Sequence, residues 1–154
     1  MKTISLVIDT REILPLEFPA VRTCSLRREA LNVGDYACQY SDGTWDNVVW
    51  ERKSVADLFG SYTNNYENER DKILRAKEQG KKFFLAIEAP AKEILKGYSY
   101  TKGGVVHTSK KSGMAMLRQL MSVMRKYEVN IFMCSDRQEM ALLIQEYYLS
   151  GLRV

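Results

Sequence analysis

Cysteine and histidine are scarce in this chain. Its three cysteines, Cys24, Cys38 and Cys134, are far apart, odd in number and never set as C-x-x-C. That spacing argues against a zinc site. With Cys24 and Cys134 in apolar runs, it reads as reduced core thiols of a cytosolic protein. The one histidine, His107, sits in a glycine-rich loop; a lone loop histidine is more often incidental than a general base, so it is given no part in the mechanism. No apolar run approaches the ~20 residues that span a bilayer. The opening run, Ile4 to Asp9, is too short for a signal peptide and leads straight into charged residues. The expectation is a soluble, intracellular protein without a membrane segment, in the cytoplasm or associated with a nucleus, or in the host cytoplasm if viral or from a phage. Internal repeats, low-complexity tracts and linkers are also missing. Neither sign of charge dominates: 23 basic against 19 acidic residues give a net charge of +4, which permits a nucleic-acid partner without demonstrating one. A chain of 154 residues, 45% apolar, fits one domain over 1–154 with a sizeable core.

What the chain does have is a concentrated stretch from Gly34 to Asp57. It reads Gly34-Asp35-Tyr36, a strand-turn-strand, Glu51-Arg52-Lys53, then Asp57. Carboxylate oxygens are hard ligands suited to Mg²⁺ or Mn²⁺, and a lysine beside such an ion is suited to a phosphate and its attacking water. Asp42-Gly43 between aromatic, β-prone runs signals a hairpin. An odd loop centred on Gly43 sets Asp35 opposite Glu51 on one face; a two-residue turn on Asp42-Gly43 sets Glu51 against Gly34 on the wrong face unless a bulge intervenes. The first arrangement is expected. Like charges facing each other on a sheet are destabilising, so a bound divalent cation explains the pair better than a solvated hairpin does. Glu51 and Lys53 share a face by alternation and Arg52 points the other way.

Elsewhere, Ile4 to Asp9 reads as a buried strand ending in the charged Asp9-Thr10-Arg11-Glu12, and strand ends carry sites in open α/β sheets. Val21 to Leu26 is a second short strand. Ser54 is a helix N-cap, and Asp57, three residues on, completes a capping pattern, a structural role that needs no ligand. Ser61 to Asn65 reads as a turn and Tyr66 to Gln79 as an amphipathic helix stopped by Gly80. On it, Arg70, Lys72, Arg75 and Lys77 either meet phosphates or form a solvated face with Glu67, Glu69, Asp71 and Glu78. Phe83 to Ile87 is a central strand, Pro90 opens a short helix, and Val129 to Cys134 is another strand. Gly97 to Lys111 reads as a long mobile loop. Its Lys102, Lys110 and Lys111, interleaved with Tyr98 and Tyr100, suit a nucleic-acid groove, and an ordinary flexible loop is the equal alternative. Gly113 to Glu128 is a helix with a stripe of Met114, Leu117, Leu120, Met121 and Met124; Arg137 to Leu149 is a second. Their apolar surface is mostly core, with a part left for a homodimer interface. The order of elements predicts an α/β fold, a mixed central sheet flanked by helices.

The two blocks, Gly34-Asp35 with Glu51-Arg52-Lys53 and Asp57, and Ile8-Asp9-Thr10-Arg11-Glu12 upstream, resemble the XPF family of structure-specific endonucleases, the ERCC4-type nuclease domain. The resemblance covers nearly the whole chain. It implies a restriction-endonuclease-like core that hydrolyses DNA with Mg²⁺ or Mn²⁺ at branched, flap or fork junctions, in repair, recombination or replication, and pairs into dimers through C-terminal helices. It makes Asp35 and Glu51 metal ligands, with Asp9 contributing directly or through water. Lys53 would position the water or stabilise phosphate charge. Arg52, Arg11 and Glu12 would orient the site or the DNA, with Asp57 in support and Arg70 standing in for an arginine whose place Asn65 takes. Without the helix-hairpin-helix modules or helicase of many relatives, the expectation is a stand-alone nuclease domain. The alternative is a non-catalytic nuclease-like DNA-binding or scaffolding module, against which the intact acidic motif argues.

Overall fold

The computed structural model describes residues 1–153. Six strands form a mixed sheet: β1 (Ile4–Asp9), β2 (Cys24–Glu29), β3 (Tyr36–Tyr40), β4 (Val48–Lys53), β5 (Lys82–Ile87) and, after a two-stranded hairpin described below, β8 (Asn130–Met133). Their spatial order is β2-β1-β3-β4-β5-β8. β3 runs antiparallel to β1 and β4, while β1–β2, β4–β5 and β5–β8 are parallel pairs. The start of β3 and the ends of β1, β4 and β5 therefore lie at one end of the sheet.

Alternation sorts the side chains of these strands between two cores. Val7, Ala37, Val49, Phe83, Leu85 and Ile87 face one layer, formed by α1 (Val55–Asn64), α2 (Tyr66–Glu78) and α4 (Gly113–Tyr127). Leu6, Ile8, Tyr36, Cys38, Val48, Trp50, Phe84 and Ala86 face α5 (Arg137–Ser150). Tyr148 of α5 is fully buried and donates its hydroxyl to the carbonyl of Val48 at 2.7 Å. This is the α/β sandwich that the order of elements predicted. No helix is long and apolar enough to cross a membrane among the described residues.

Four local expectations need correction. The second strand is Cys24–Glu29, so the charged Arg27-Arg28-Glu29 run lies within it; an edge strand tolerates charge on its open side, and periodicity of burial gives it no signal. Helix α1 continues through Ser61 to Asn64, breaking at Asn65, because Leu58, Phe59 and Tyr62 bury against the sheet and override the weak propensity of the polar residues between them. The segment 97–111 contains a β-hairpin, β6 (Ser99–Lys102) and β7 (Val105–Thr108), turned by Gly103 and Gly104 at positive φ. On α4 the buried positions are Gly113, Met116, Leu120 and Val123, next to a short α3 (Ala91–Leu95), while Met114 and Met121 of the expected stripe are exposed. Cys38 and Cys134 are buried; Cys24 is half-buried.

Candidate active site at the end of the sheet

Register brings the site together. Tyr36 pairs with Trp50, the amide of Asp35 donates to the carbonyl of Trp50 at 2.7 Å, and the amide of Arg52 donates to Asp35 Oδ2 at 2.8 Å. Asp35 and Glu51 thus face each other at the mouth of the β3–β4 ladder, the arrangement expected for a loop centred on Gly43. The route differs. The turn itself is tight, with Gly43 N–H bonded to Tyr40 O, and it sets Gln39 opposite Trp45. Between that bridge and Tyr36–Trp50, residues 37 and 38 of β3 face residues 46 to 49 of the other segment. The two extra residues form a bulge held by Asp46, whose carboxylate accepts from Val48 N–H at 2.8 Å and Tyr40 Oη at 2.5 Å. The bulge advances β4 by about 7 Å without changing which face its side chains take.

Gly34 explains why Gly-Asp is a unit. It has φ +85°, and a Cβ there would meet Val49 Cβ at 3.0 Å and Trp50 O at 3.3 Å. Only glycine lets β3 enter this close to β4. On β1, Ile8 pairs with Tyr36 and the amide of Asp9 donates to the carbonyl of Asp35 at 2.9 Å. Asp9, Asp35 and Glu51 therefore form one row across three strands, on the face that carries α1 and α2.

The three carboxylates are in different states. Asp9 is buried, but its oxygens are taken: Arg11 Nε lies 2.8 Å from Oδ2, and Leu31 N–H donates to Oδ1 at 2.9 Å. Burial opposes its charge, yet Arg11 and the Leu31 amide together hold its pKa below the ordinary value. Burial pushes Asp35 up to about 6, outweighing the hydrogen bond from Arg52. Burial also pushes Glu51 up to about 7 against the pull of Lys53, with Glu69 and Asp35 adding repulsion. Glu51 Oε2 is buried and has no hydrogen-bond partner. Lys53 Nζ lies 4.0 Å from it.

Lys53 is buried on the same face as Glu51. It lies 3.3 Å from both Glu69 Oε1 and Ser61 Oγ. Lys72 reaches Glu51 Oε1 at 3.1 Å and Glu69 Oε1 at 3.2 Å. The solvated face that is one reading of this helix does not include Glu69, which is buried. Burial alone raises its pKa; Lys53 and Lys72 overcome that and hold it down. A signal was present: Glu69 stands one turn before Ile73 and two before Ala76, on the apolar stripe of α2.

Other candidate residues lie elsewhere. Arg52 points to the α5 face, 2.6 Å from Glu88 and 3.3 Å from Glu12. Glu12 also accepts from Tyr36 Oη, and Arg137 of α5 joins Glu88 at 3.1 Å. Glu12 and Arg52 therefore belong to a network tying residues 12–16 to the sheet and α5. Arg11 is mostly exposed beyond Asp9. Asp57 lies in the first turn of α1, exposed, donating its amide to Ser54 Oγ at 3.1 Å. Arg70 lies 4.0 Å from Asp71. Lys102 and Lys110 are exposed on and beside the hairpin, whereas Lys111 donates to Tyr62 O at 2.9 Å and to Gln119 Oε1, a structural tie that withdraws it from phosphates.

A divalent cation fits the row at Asp35 and Glu51. Half-buried Asp35 and buried Glu51, whose charged forms their surroundings disfavour, gain most from a cation, and Glu51 offers an oxygen with no hydrogen-bond partner. Among the described residues no group of three or more His, Cys, Asp or Glu could hold a metal ion, so Asp9 does not join Asp35 and Glu51 as a third direct ligand. Mg²⁺ is commonly held by one or two carboxylates, with water and phosphate filling the remaining positions.

The sequence profile described as the ERCC4 domain matches residues 8–147. No curated protein matches the chain. Among solved structures, it is similar to XPF from Aeropyrum pernix in complex with DNA, with a TM-score of 0.68 and 17% identity over 97% of this chain and 65% of that one. A second structure of XPF from Aeropyrum pernix gives a TM-score of 0.63 and 16% identity over 92% of this chain and 58% of that one. The chain spans less than two thirds of the length of either.

Proposed function

We propose, on the premise that the chain belongs to the ERCC4 domain family of structure-specific DNA nucleases, that it is a Mg²⁺- or Mn²⁺-dependent endonuclease acting at branched, flap or fork DNA. The observation that carries this reading is the pairing of half-buried Asp35 with buried Glu51, whose Oε2 has no hydrogen-bond partner. Asp35 and Glu51 would hold the ion. Asp9, its oxygens engaged by Arg11 and Leu31, acts through water and by fixing the strand that carries Asp35. When bound, such an ion lowers the pKa of a water and offsets charge on the phosphate. Lys53 contributes a fixed positive charge beside the reacting phosphate, which needs no reorganisation as charge develops. Glu69 and Ser61 hold its ammonium in place. Lys72 lies against Glu51 and is partly exposed, so it can turn from the carboxylate to an incoming phosphate.

A homodimer goes with this reading. Met114 and Met121 are exposed, and Leu117 and Met124 half-buried, along one side of α4, an apolar seam at a spacing that suits a second helix.

The test is a panel of single-stranded, duplex, flap and fork DNA incubated with Mg²⁺, Mn²⁺ or EDTA, alongside a sizing measurement. Metal-dependent cuts near a junction, lost in Asp35→Ala and Glu51→Ala, are expected. Wild-type protein that binds DNA equally well without metal and cuts none of the panel supports a scaffolding module and overturns the proposal.

A further inference from the structure

The hairpin carries a row of aromatic rings that the chemistry at Asp35 and Glu51 does not use. Tyr100 and His107 are cross-strand partners, with ring centroids 5.0 Å apart and planes 16° from parallel. Tyr98 continues the row at 6.0 Å and 29°, and Phe59 of α1, fully buried, closes it at 6.1 Å and 25°. The row is thus anchored in the core at Phe59 and emerges at Tyr100 and His107, both exposed.

It lines a groove of about 470 Å³ between the hairpin and the outer side of α1. The opposite wall is short or polar: Asp57, Gly60, Thr63 and Asn64. A Cβ at Gly60 would meet nothing within 4 Å, so this wall is open. Lys110 lies at the rim and Lys102 on the hairpin, both exposed and without an ion pair among the described residues. Helix α1 separates the groove from Glu51 and Lys53 by about one helix diameter, ~10 Å. Ser61 bonds Lys53 on the inner side, while Thr63 and Asn64 line the groove on the outer.

We propose that this groove holds unpaired nucleotides of single-stranded DNA, stacked against Tyr100 and His107, as the strand leaves the site at Asp35 and Glu51. The proposal rests on the nuclease reading above. Aromatic faces beside free lysines make a platform for bases and a track for phosphates. The bases of a duplex already stack on one another and have no free face to offer, so the platform selects unpaired strand. Asp57 repels phosphate from the α1 wall, which puts the backbone along the lysine side and turns base edges toward Asp57, Thr63 and Asn64.

The test is binding in EDTA, where no cleavage occurs, to a fluorescein-labelled single strand of about 12 nucleotides, a blunt duplex of the same sequence and the matching RNA. Anisotropy is read for wild type, Tyr100→Leu/His107→Leu and Tyr100→Phe. The double variant is expected to lose single-strand affinity on the order of tenfold or more, with duplex affinity unchanged. Tyr100→Phe, which keeps the ring, is expected to bind like wild type and controls for the fold. An undiminished single-strand affinity in the double variant, an equal loss on duplex, or tighter binding of RNA than of DNA overturns the proposal. Absence of cleavage with Mg²⁺ or Mn²⁺, by contrast, bears on the nuclease reading alone.

Discussion

Lys53 Nζ sits 3.3 Å from Glu69 Oε1, an ion pair between the end of β4 and the inner side of α2 with both side chains under a tenth exposed. It joins a strand residue of the recognised motif to a helix residue outside it. Removing one partner of a buried pair leaves the other charge without compensation. Glu69→Ala is expected to lower stability by about 2–4 kcal/mol, read from urea midpoints. Glu69→Gln keeps an acceptor for Lys53 and is expected to lose less. Equal midpoints for wild type and Glu69→Ala would show that the pair contributes nothing.

Asp35→Asn separates stability from activity. The asparagine oxygen can still accept from the Arg52 amide, while the half-buried charge is gone. Since burial raises Asp35 from 3.8 to about 6, the metal-free variant is expected to be more stable than wild type at pH 7.5 by about 1–3 kcal/mol, and the difference is expected to shrink at pH 5. Cleavage is expected to disappear. A variant less stable at pH 7.5 would mean that Asp35 is paired more strongly than its surroundings indicate.

The two raised carboxylates set a pH window. Asp35 moves from 3.8 to about 6 and Glu51 from 4.5 to about 7, so between pH ~4 and ~7 the folded state binds more protons than the unfolded state. Stability then falls as pH rises through that window. Asp9 and Glu69, both lowered, act in the opposite sense, but only below their ordinary values of 3.8 and 4.5. In EDTA the melting temperature is expected to decline from pH 5 to pH 7.5. Mn²⁺ is expected to raise it at pH 7.5, where both carboxylates are free to bind, and to do little at pH 5. A metal-induced rise of equal size at both pH values would place the ion elsewhere.

Gly34→Ala meets two obstacles, a positive φ and contact with Val49 and the Trp50 carbonyl. It is expected to destabilise by about 1–3 kcal/mol and to lower metal affinity, because Asp35 is the next residue. Gly43→Ala, also at positive φ but with open space around it, is the control. It is expected to lower stability while leaving metal binding intact, as followed by calorimetric titration.

Most of the site was legible because its residues are local or obey a period of two. Asp35, Glu51 and Lys53 share a face through strand alternation, and Arg52 takes the other. Asp9 ends a β-branched strand that leads into a charged run. Burial of α1 past Ser61 was not legible, since it depends on packing against distant strands; the pairing of the glycine-rich segment is local, around Gly103-Gly104, and its signal lay in that two-residue turn.

By itself, the sequence determined the order of the helices and of the six strands of the main sheet, the glycine before Asp35 and the alternation that aims the acidic row at one side of the sheet. These follow from local sterics and side-chain periodicity. Only the tertiary structure decided that a two-residue bulge at Asp46 carries Glu51 to Asp35, that Arg52 and Glu12 serve the α5 face, and that Glu69 and Lys72 enter the site from α2. The bulge rests on bonds from Asp46 to its near neighbours Val48 and Tyr40, but the other two outcomes depend on charges finding partners across 16 to 40 residues of chain. No local pattern encodes such pairings, because their energies arise only once burial removes the water that would otherwise screen them.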